Sequence, residues 1–231
     1  MKEHSFISPV SSLGEDINCF TLTSHYFFEN QIDPKKDALI KNLSFFEGIP
    51  IQYMDQVHGN SIGLITTHNS EPIKSTDAIF TSKKGLALAA LTADCMPIVL
   101  SKIDGSEFSI IHAGWKGLFS GIIEKSISSF ATDGLEISAW IGPSISCRNY
   151  EVDNVFYKKF TTKDKESESN FIKKDSGKWL FSLQGEAERI LIKYGVHTQT
   201  TRICTYESEL LYSFRKEQTQ DRLVTIIWRS E

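Results

Sequence analysis

A chain of 231 residues with 40% hydrophobic residues and fifteen phenylalanines can build a large core, and no repeat or Pro/Gly-rich linker divides it, so one domain spanning 1–231 is expected. A formal charge of −4 gives no broad basic field, which excludes a charge-driven nucleic-acid face while leaving local basic residues for a small anion. No apolar run approaches the roughly 20 residues of a membrane span, the N-terminal stretch lacks a secretory core, and Cys19, Cys95, Cys147 and Cys204 form no CxxC pair; a cytoplasmic protein without disulfide framework or zinc ribbon is expected.

In chain order, "INCFTLT" (17–23) reads as a strand, and residues 33–48 read as a helix with Asp33 as N-cap, Pro34 in its first turn and Gly48 as its stop. "IQYMDQV" (51–57), "SIGLI" (61–65) and "DAIFT" (77–81) are short β-like runs. Three apolar strands follow, "GLALAALT" (85–92), "MPIVLS" (96–101) and "EFSIIHA" (107–113), and these suit the centre of a sheet. Residues 118–131 set Leu118, Ile122, Ile123, Ile127 and Phe130 on one helical face, and "EISAWIG" (136–142) returns as a strand that Gly142-Pro143 ends. Residues 151–160 and 183–195 read as helices and "RLVTIIW" (222–228) as the closing strand. The charged stretch "TTKDKESESN" (161–170) reads as a mobile, solvated loop. Strands outnumber helices and many are adjacent, which predicts an α+β fold of mixed sheets with outer helices.

Three polar residues stand where a β-like run meets a glycine or proline turn: His58 in "DQVHGN", Cys95 in "TADCMP" and His112 in "HAGWKG". Such junctions can bring functional groups to one cavity on rigid strands. If they converge, two imidazoles and a thiolate suit Zn²⁺ with one position open, and zinc lowers the pKa of a bound water to roughly 7. A metal-free alternative makes Cys95 a nucleophile, His112 its base and Asp94 the orienting group. A third is two core histidines and a buried cysteine. Cys19, Cys147 and Cys204 read as small buried hydrophobes. His4, His25, His68, His197, Arg148 and Arg202 read as surface or structural residues.

The blocks "DQVHGN", "TADCMPIVL", "IIHAGWKGL" and "IGPSI", followed in order by "YEVDNVF", "GKW" and "LYSFRKEQTQDRLV", resemble the signature of the YfiH family, also called laccase-domain or peptidoglycan-editing-factor proteins. The resemblance runs from about residue 50 to the C-terminus. It implies a layered αββα sandwich like the deamidase domain of cytotoxic necrotising factor, and a catalytic zinc on His58, Cys95 and His112. It implies a phosphorylase of adenosine, inosine and methylthioadenosine that also deaminates adenosine. The bacterial branch is alternatively linked to an amidase that removes L-serine from a muramic acid conjugate. A third, non-enzymatic possibility keeps the metal as a structural staple.

Substrates would be a purine nucleoside and phosphate, or a muramyl-serine precursor, with no nucleic-acid or membrane partner. Lys116, Arg215 and Arg222 could hold the phosphate charge, with Ser213 adding a hydroxyl contact. Trp115 could stack on a base, and Gln56 could orient His58 or ligand. Asp94 is the candidate proton relay, in the absence of an HxE partner. The family has also been described as polyphenol oxidases, but six histidines are too few for a multicopper array; copper could still occupy the zinc site in vitro. The chain departs from the family pattern at Lys116, where Arg is usual, at Phe181-Ser182, where an acidic residue is usual, and at Asp221, where glycine is usual. Those departures bear on substrate choice.

Overall fold

The computed structural model of the chain describes residues 4–46 and 48–230. Its first half runs β1 (Phe6–Ile7), β2 (Ile17–Leu22), α1 (Ser24–Glu29), α2 (Lys36–Asn42), β3 (Phe45–Phe46), β4 (Ile49–Gln52), β5 (Ile62–Leu64), β6 (Ala78–Thr81), β7 (Ala87–Thr92), β8 (Met96–Lys102) and β9 (Phe108–Ala113). Its second half runs α3 (Trp115–Phe119), α4 (Ile122–Ile127), β10 (Ile137–Ile141), β11 (Glu151–Val152), α5 (Asn154–Lys163), β12 (Phe171–Lys173), β13 (Trp179–Phe181), α6 (Leu183–Lys193), β14 (His197–Thr200), α7 (Phe214–Glu217) and β15 (Leu223–Arg229). The strands form two six-stranded mixed sheets, ordered β1-β2-β15-β7-β4-β3 and β14-β10-β8-β9-β6-β5, and a small sheet β11-β13-β12.

The central strands bury side chains on both faces. Leu88 and Ala90 of β7 and Ile227 of β15 meet Val99, Ile110 and Trp140 of the second sheet in one apolar layer. The alternate residues Ala89, Leu91, Val224 and Ile226 pack with Phe27 of α1 and Leu39 of α2. On the other side, Ile98, Leu100, Ile111 and Ala139 pack with Ile122 and Ile123 of α4 and Ala187 and Leu191 of α6. The outcome is the αββα stack that the family resemblance implies. Two covered faces remove the need for polar alternation, which is why "GLALAALT" and "MPIVLS" read as unbroken apolar runs. Trp140 anchors the middle layer, 1% exposed, with its indole N–H donating to Thr201 Oγ1 at 2.8 Å. Truncating it to Ala would cost about 3–5 kcal/mol.

Several local expectations change. The helix expected over 33–48 is only α2; Phe45–Phe46 instead pairs with Ile49–Pro50, because Phe46 is drawn against Phe20 and Trp228. Residue 47 of that expected helix lies outside the described residues. The helix over 118–131 starts earlier, at Trp115, and breaks into α3 and α4 at Gly121, whose φ of 84° suits glycine. The helix expected from residue 151 begins at Asn154, where the Asp153 carboxylate accepts from the Phe156 N–H, and residues 151–152 are a strand.

The stretch read as a mobile loop is ordered. Residues 161–163 finish α5, and Lys165–Asn170 form a 3-10 turn. Arg189 of α6 holds it through Asp164 and Glu166, each at 3.0 Å, while also reaching the buried Glu186 at 2.7 Å. Composition registers the charges of 161–170 but not a partner on a later helix. The helix α1 and the polar edge strand β14, parallel to β10, have no counterpart in the sequence reading. Cys204 is buried, but its Sγ accepts from the Ser146 N–H at 3.2 Å and the Asn149 amide at 3.5 Å, so it is a polar joint rather than a small hydrophobe. Among the described residues no helix is long and apolar enough to cross a membrane.

Candidate active site

Sheet register assembles the site. β8 and β9 pair Pro97 with His112 and Met96 with Ala113, so Cys95, just before β8, falls opposite Gly114, just after β9. β6 pairs Ala78 with Ile111, which sets Asp77 beside His112. Between Thr92 and Met96 the chain crosses from the first sheet to the second, and Asp94 turns it with a left-handed backbone, φ 85°. The loop before β5 supplies His58, also left-handed at φ 62°.

The ligand atoms of His58, Cys95 and His112 lie within 4.8 Å of one another. The two imidazole rings meet edge to face, 4.7 Å between centroids and 81° between planes. Nδ1 of His112 lies 2.8 Å from Oδ1 of the fully buried Asp77, leaving Nε2 as the nitrogen that faces Cys95. Two donors bound to one tetrahedral zinc stand about 3.3–3.8 Å apart, so the set fits such an ion with small adjustments. A side chain at Gly114 would fill this cradle: its Cβ would lie 2.9 Å from Cys95 Sγ and 3.2 Å from His58 Cδ2. Gly117 makes a second close approach, with a Cβ there 2.8 Å from the Gly59 carbonyl. Burial opposes ionisation of Cys95, but the His112 and His58 imidazoles outweigh it and hold the thiol down at about 6. Burial likewise opposes protonation of His112, while the Cys95 thiolate and Asp77 hold it up at about 9. Such a thiolate is ready to coordinate a cation.

All three side chains open onto a cavity of about 390 Å³. Of the other residues expected to act here, Gln56, Asp94, Trp115, Arg215 and Arg222 line it. Gln56 spends its amide on the Leu91 backbone, donating to the carbonyl at 2.7 Å and accepting from the N–H at 2.8 Å. Asp94 accepts from Thr205 Oγ1 on one oxygen and from the Arg215 N–H on the other, both at 2.6 Å. The Arg215 guanidinium lies over the Tyr150 ring, 5.1 Å from its centroid. Arg222 donates to the carbonyls of Asp221 at 2.8 Å and Thr219 at 3.1 Å. Two expected residues stay outside the cavity lining. Lys116 is exposed on α3 with its ammonium 5.8 Å from the Trp115 ring, and Ser213 caps α7 by accepting from the Lys216 N–H.

Sequence reasoning missed Asp77, Lys36, Tyr150, Leu183 and Phe214. The last four reach the cavity from α2, the turn before β11, α6 and α7. Lys36 pairs with Asp55 at 3.2 Å. Phe181 is a core residue, and Ser182 caps α6 by accepting from the Gly185 N–H.

Residues 29–230 match the family model described as multi-copper polyphenol oxidoreductase laccase. The chain is 33% identical over 180 residues to the purine nucleoside phosphorylase YfiH of Escherichia coli, covering 76% of this chain and 72% of that one. It is 32% identical over 184 residues to a purine nucleoside phosphorylase of Corynebacterium glutamicum, covering 77% and 74%. In structure it is similar to YlmD of Geobacillus stearothermophilus, with a TM-score of 0.85, 20% identity, and coverage of 100% of this chain and 98% of that one. A Neisseria meningitidis protein gives a TM-score of 0.82 at 22% identity, covering 98% and 100%. Among the described residues, His58, Cys95 and His112 are the one group of three or more such side chains that could hold a metal.

Proposed function

The chain belongs to the YfiH, or laccase-domain, family, and from that premise we propose that it is a zinc-dependent purine nucleoside phosphorylase of adenosine, inosine and methylthioadenosine that also deaminates adenosine. The observation that carries the reading is a three-donor group, His58, Cys95 and His112, opening onto a cavity that Arg215 and Arg222 also line. Three protein donors with an open side are the catalytic rather than the structural pattern of zinc. The relatives named purine nucleoside phosphorylase support the substrate class.

In this reading the cavity, about 390 Å³, receives the nucleoside, and Trp115, Ile145, Leu183 and Phe214 offer apolar and aromatic surface to the purine. Arg215 and Arg222 hold the charge of inorganic phosphate. Asp94 fixes the backbone of Arg215 and serves as a positioning residue, accepting from Thr205 Oγ1 on one oxygen and from the Arg215 N–H on the other. In phosphorolysis a phosphate oxygen bonds to ribose C1′ as the C1′–N9 bond breaks, the electron pair leaving with the base. In deamination, water adds at C6 and ammonia leaves. Zinc held by His58, Cys95 and His112 would supply Lewis acidity and ease the ionisation of water. Holding reactants in one orientation is the chain's own contribution.

The test incubates metal-analysed protein with adenosine, with and without phosphate, beside Cys95→Ala. Adenine and ribose-1-phosphate that require both phosphate and Cys95 are expected, with inosine marking deamination. No product from protein holding stoichiometric zinc would refute the proposal and move the assay to release of serine from a muramyl-L-serine conjugate.

A further inference from the structure

Asp77 is fully buried at the start of β6, and it is neither a member of the donor group nor part of the cavity lining. Its Oδ1 takes the His112 ring at 2.8 Å and the His58 N–H at 2.9 Å. Its Oδ2 accepts from the Gly59 N–H at 2.6 Å and the Val57 N–H at 3.2 Å. A carboxylate has about four lone-pair sites. Every one is used, and every donor belongs to a segment that carries a donor residue of the site. The backbone of Asp77 is fixed as well, its carbonyl accepting from the His112 N–H at 2.7 Å and its N–H donating to the Ser61 carbonyl at 3.1 Å.

We propose that Asp77 is the positioning residue of the metal centre, one carboxylate that orients His112 through its ring and moulds the loop that presents His58. The inference rests on reading His58, Cys95 and His112 as the metal ligands. With Nδ1–H donating to Asp77, Nε2 is the only nitrogen of His112 that can take a metal, and the ring cannot turn without breaking a buried charge-assisted bond. His58 has φ 62°, a left-handed backbone region that is uncommon for residues other than glycine. Three consecutive N–H groups, of Val57, His58 and Gly59, converge on the carboxylate, a concave arrangement suited to an anion. The anion stabilises the turn, and the turn aims the imidazole. One side chain therefore sets two of the three ligands relative to the sheet that carries the third.

Asparagine has the shape of aspartate but presents an amide NH₂ where two N–H donors now converge, so Asp77→Asn isolates this role. The experiment strips metal from the wild-type chain and from Asp77→Asn, then measures zinc affinity by competition with a chromophoric chelator, the Co²⁺ absorption spectrum, and the melting temperature of each metal-free form. The expected result is zinc affinity weaker by about 10–100-fold in Asp77→Asn, with an altered Co²⁺ spectrum. A residue that only supports the fold would lower the metal-free melting temperature and leave affinity and spectrum unchanged, which overturns the proposal.

Where Asp77→Asn does not fold, ¹⁵N spectra of the zinc-loaded wild type decide. A protonated Nδ1 and a coordinated Nε2 on His112 support the proposal, and metal on Nδ1 overturns it. A wild-type chain that binds neither Zn²⁺ nor Co²⁺ would overturn the metal reading itself, an outcome that the wild-type titration separates from a failure of Asp77.

Discussion

Gly114→Ala tests how tightly the backbone is drawn into the site. Gly114 has φ −81° and ψ 171°, angles any residue adopts, so the added methyl group brings no backbone strain and acts by contact alone. It would stand 2.9 Å from Cys95 Sγ and 3.2 Å from His58 Cδ2. Comfortable contact begins at about 3.5 Å, so the sulfur must retreat by roughly 0.6 Å and the ring by roughly 0.3 Å. Zinc–ligand distances stay within about 0.2 Å of their usual values, so the displaced sulfur and ring must be drawn back against this contact for the ion to bind. Zinc affinity should therefore fall at least tenfold, a loss of about 1.4 kcal/mol or more. Overpacking should also cost the metal-free protein about 1–3 kcal/mol. In a chain of this size each kcal/mol lowers the melting temperature by about 2–4 °C. Chelator competition reads the first quantity and calorimetry of the metal-free protein the second. An alanine variant with wild-type affinity and melting temperature would show that Cys95 and His58 have slack, and the argument from close approach would fail.

Asp94→Ala should lose about 2–4 kcal/mol in chemical denaturation, because it strands the buried Thr205 hydroxyl and the Arg215 N–H and forces alanine into φ 85°; Asp94→Gly, which removes only the hydrogen bonds, should lose about 1 kcal/mol less. Equal losses would refute the backbone part. Arg189→Met leaves the buried Glu186 without its cation and should cost about 3–5 kcal/mol, with faster hydrogen exchange over 164–170; an unchanged exchange pattern there would mean the ion pairs do not hold that turn. In metal-free protein the Cys95 thiolate absorbance near 240 nm should persist down to about pH 6 and vanish below it. The sign follows from a folded pKa below the unfolded one: the thiolate's stabilisation is withdrawn as pH falls through about 6. A midpoint near 8.5, the value of a free thiol, would refute the imidazole pairing.

The convergence of His58, Cys95 and His112 was legible because each lies within two residues of a glycine or proline that borders an apolar run, and mixed sheets with outer helices were legible because those runs are long and unbroken. Asp77 was not. Nothing in "DAIFT" marks its first residue until the β6–β9 register sets it beside His112. Lys36, Tyr150 and Phe214 arrive at the cavity through tertiary packing of elements far apart in sequence. Lys116 is not among the residues that line the cavity: it adjoins Trp115, but one residue on a helix is a turn of about 100°, and its side chain is exposed on α3. The charges of 161–170 signalled solvent because their cation, Arg189, lies on another helix.

The pairing of β8 with β9 has a further consequence for any ion that His58, Cys95 and His112 would hold. Cys95 immediately precedes β8 and His112 lies on β9, and only the alignment of Pro97 with His112 brings them to one point. A slip of one residue would turn one of these strands' side chains to the opposite face and separate thiolate from imidazole. A misaligned hairpin is thus blind to the ion, whereas the correct one captures it and gains its binding energy. An ion bound there would act as a proofreader of β-hairpin alignment during refolding, rewarding a single register among those that the apolar strands would tolerate.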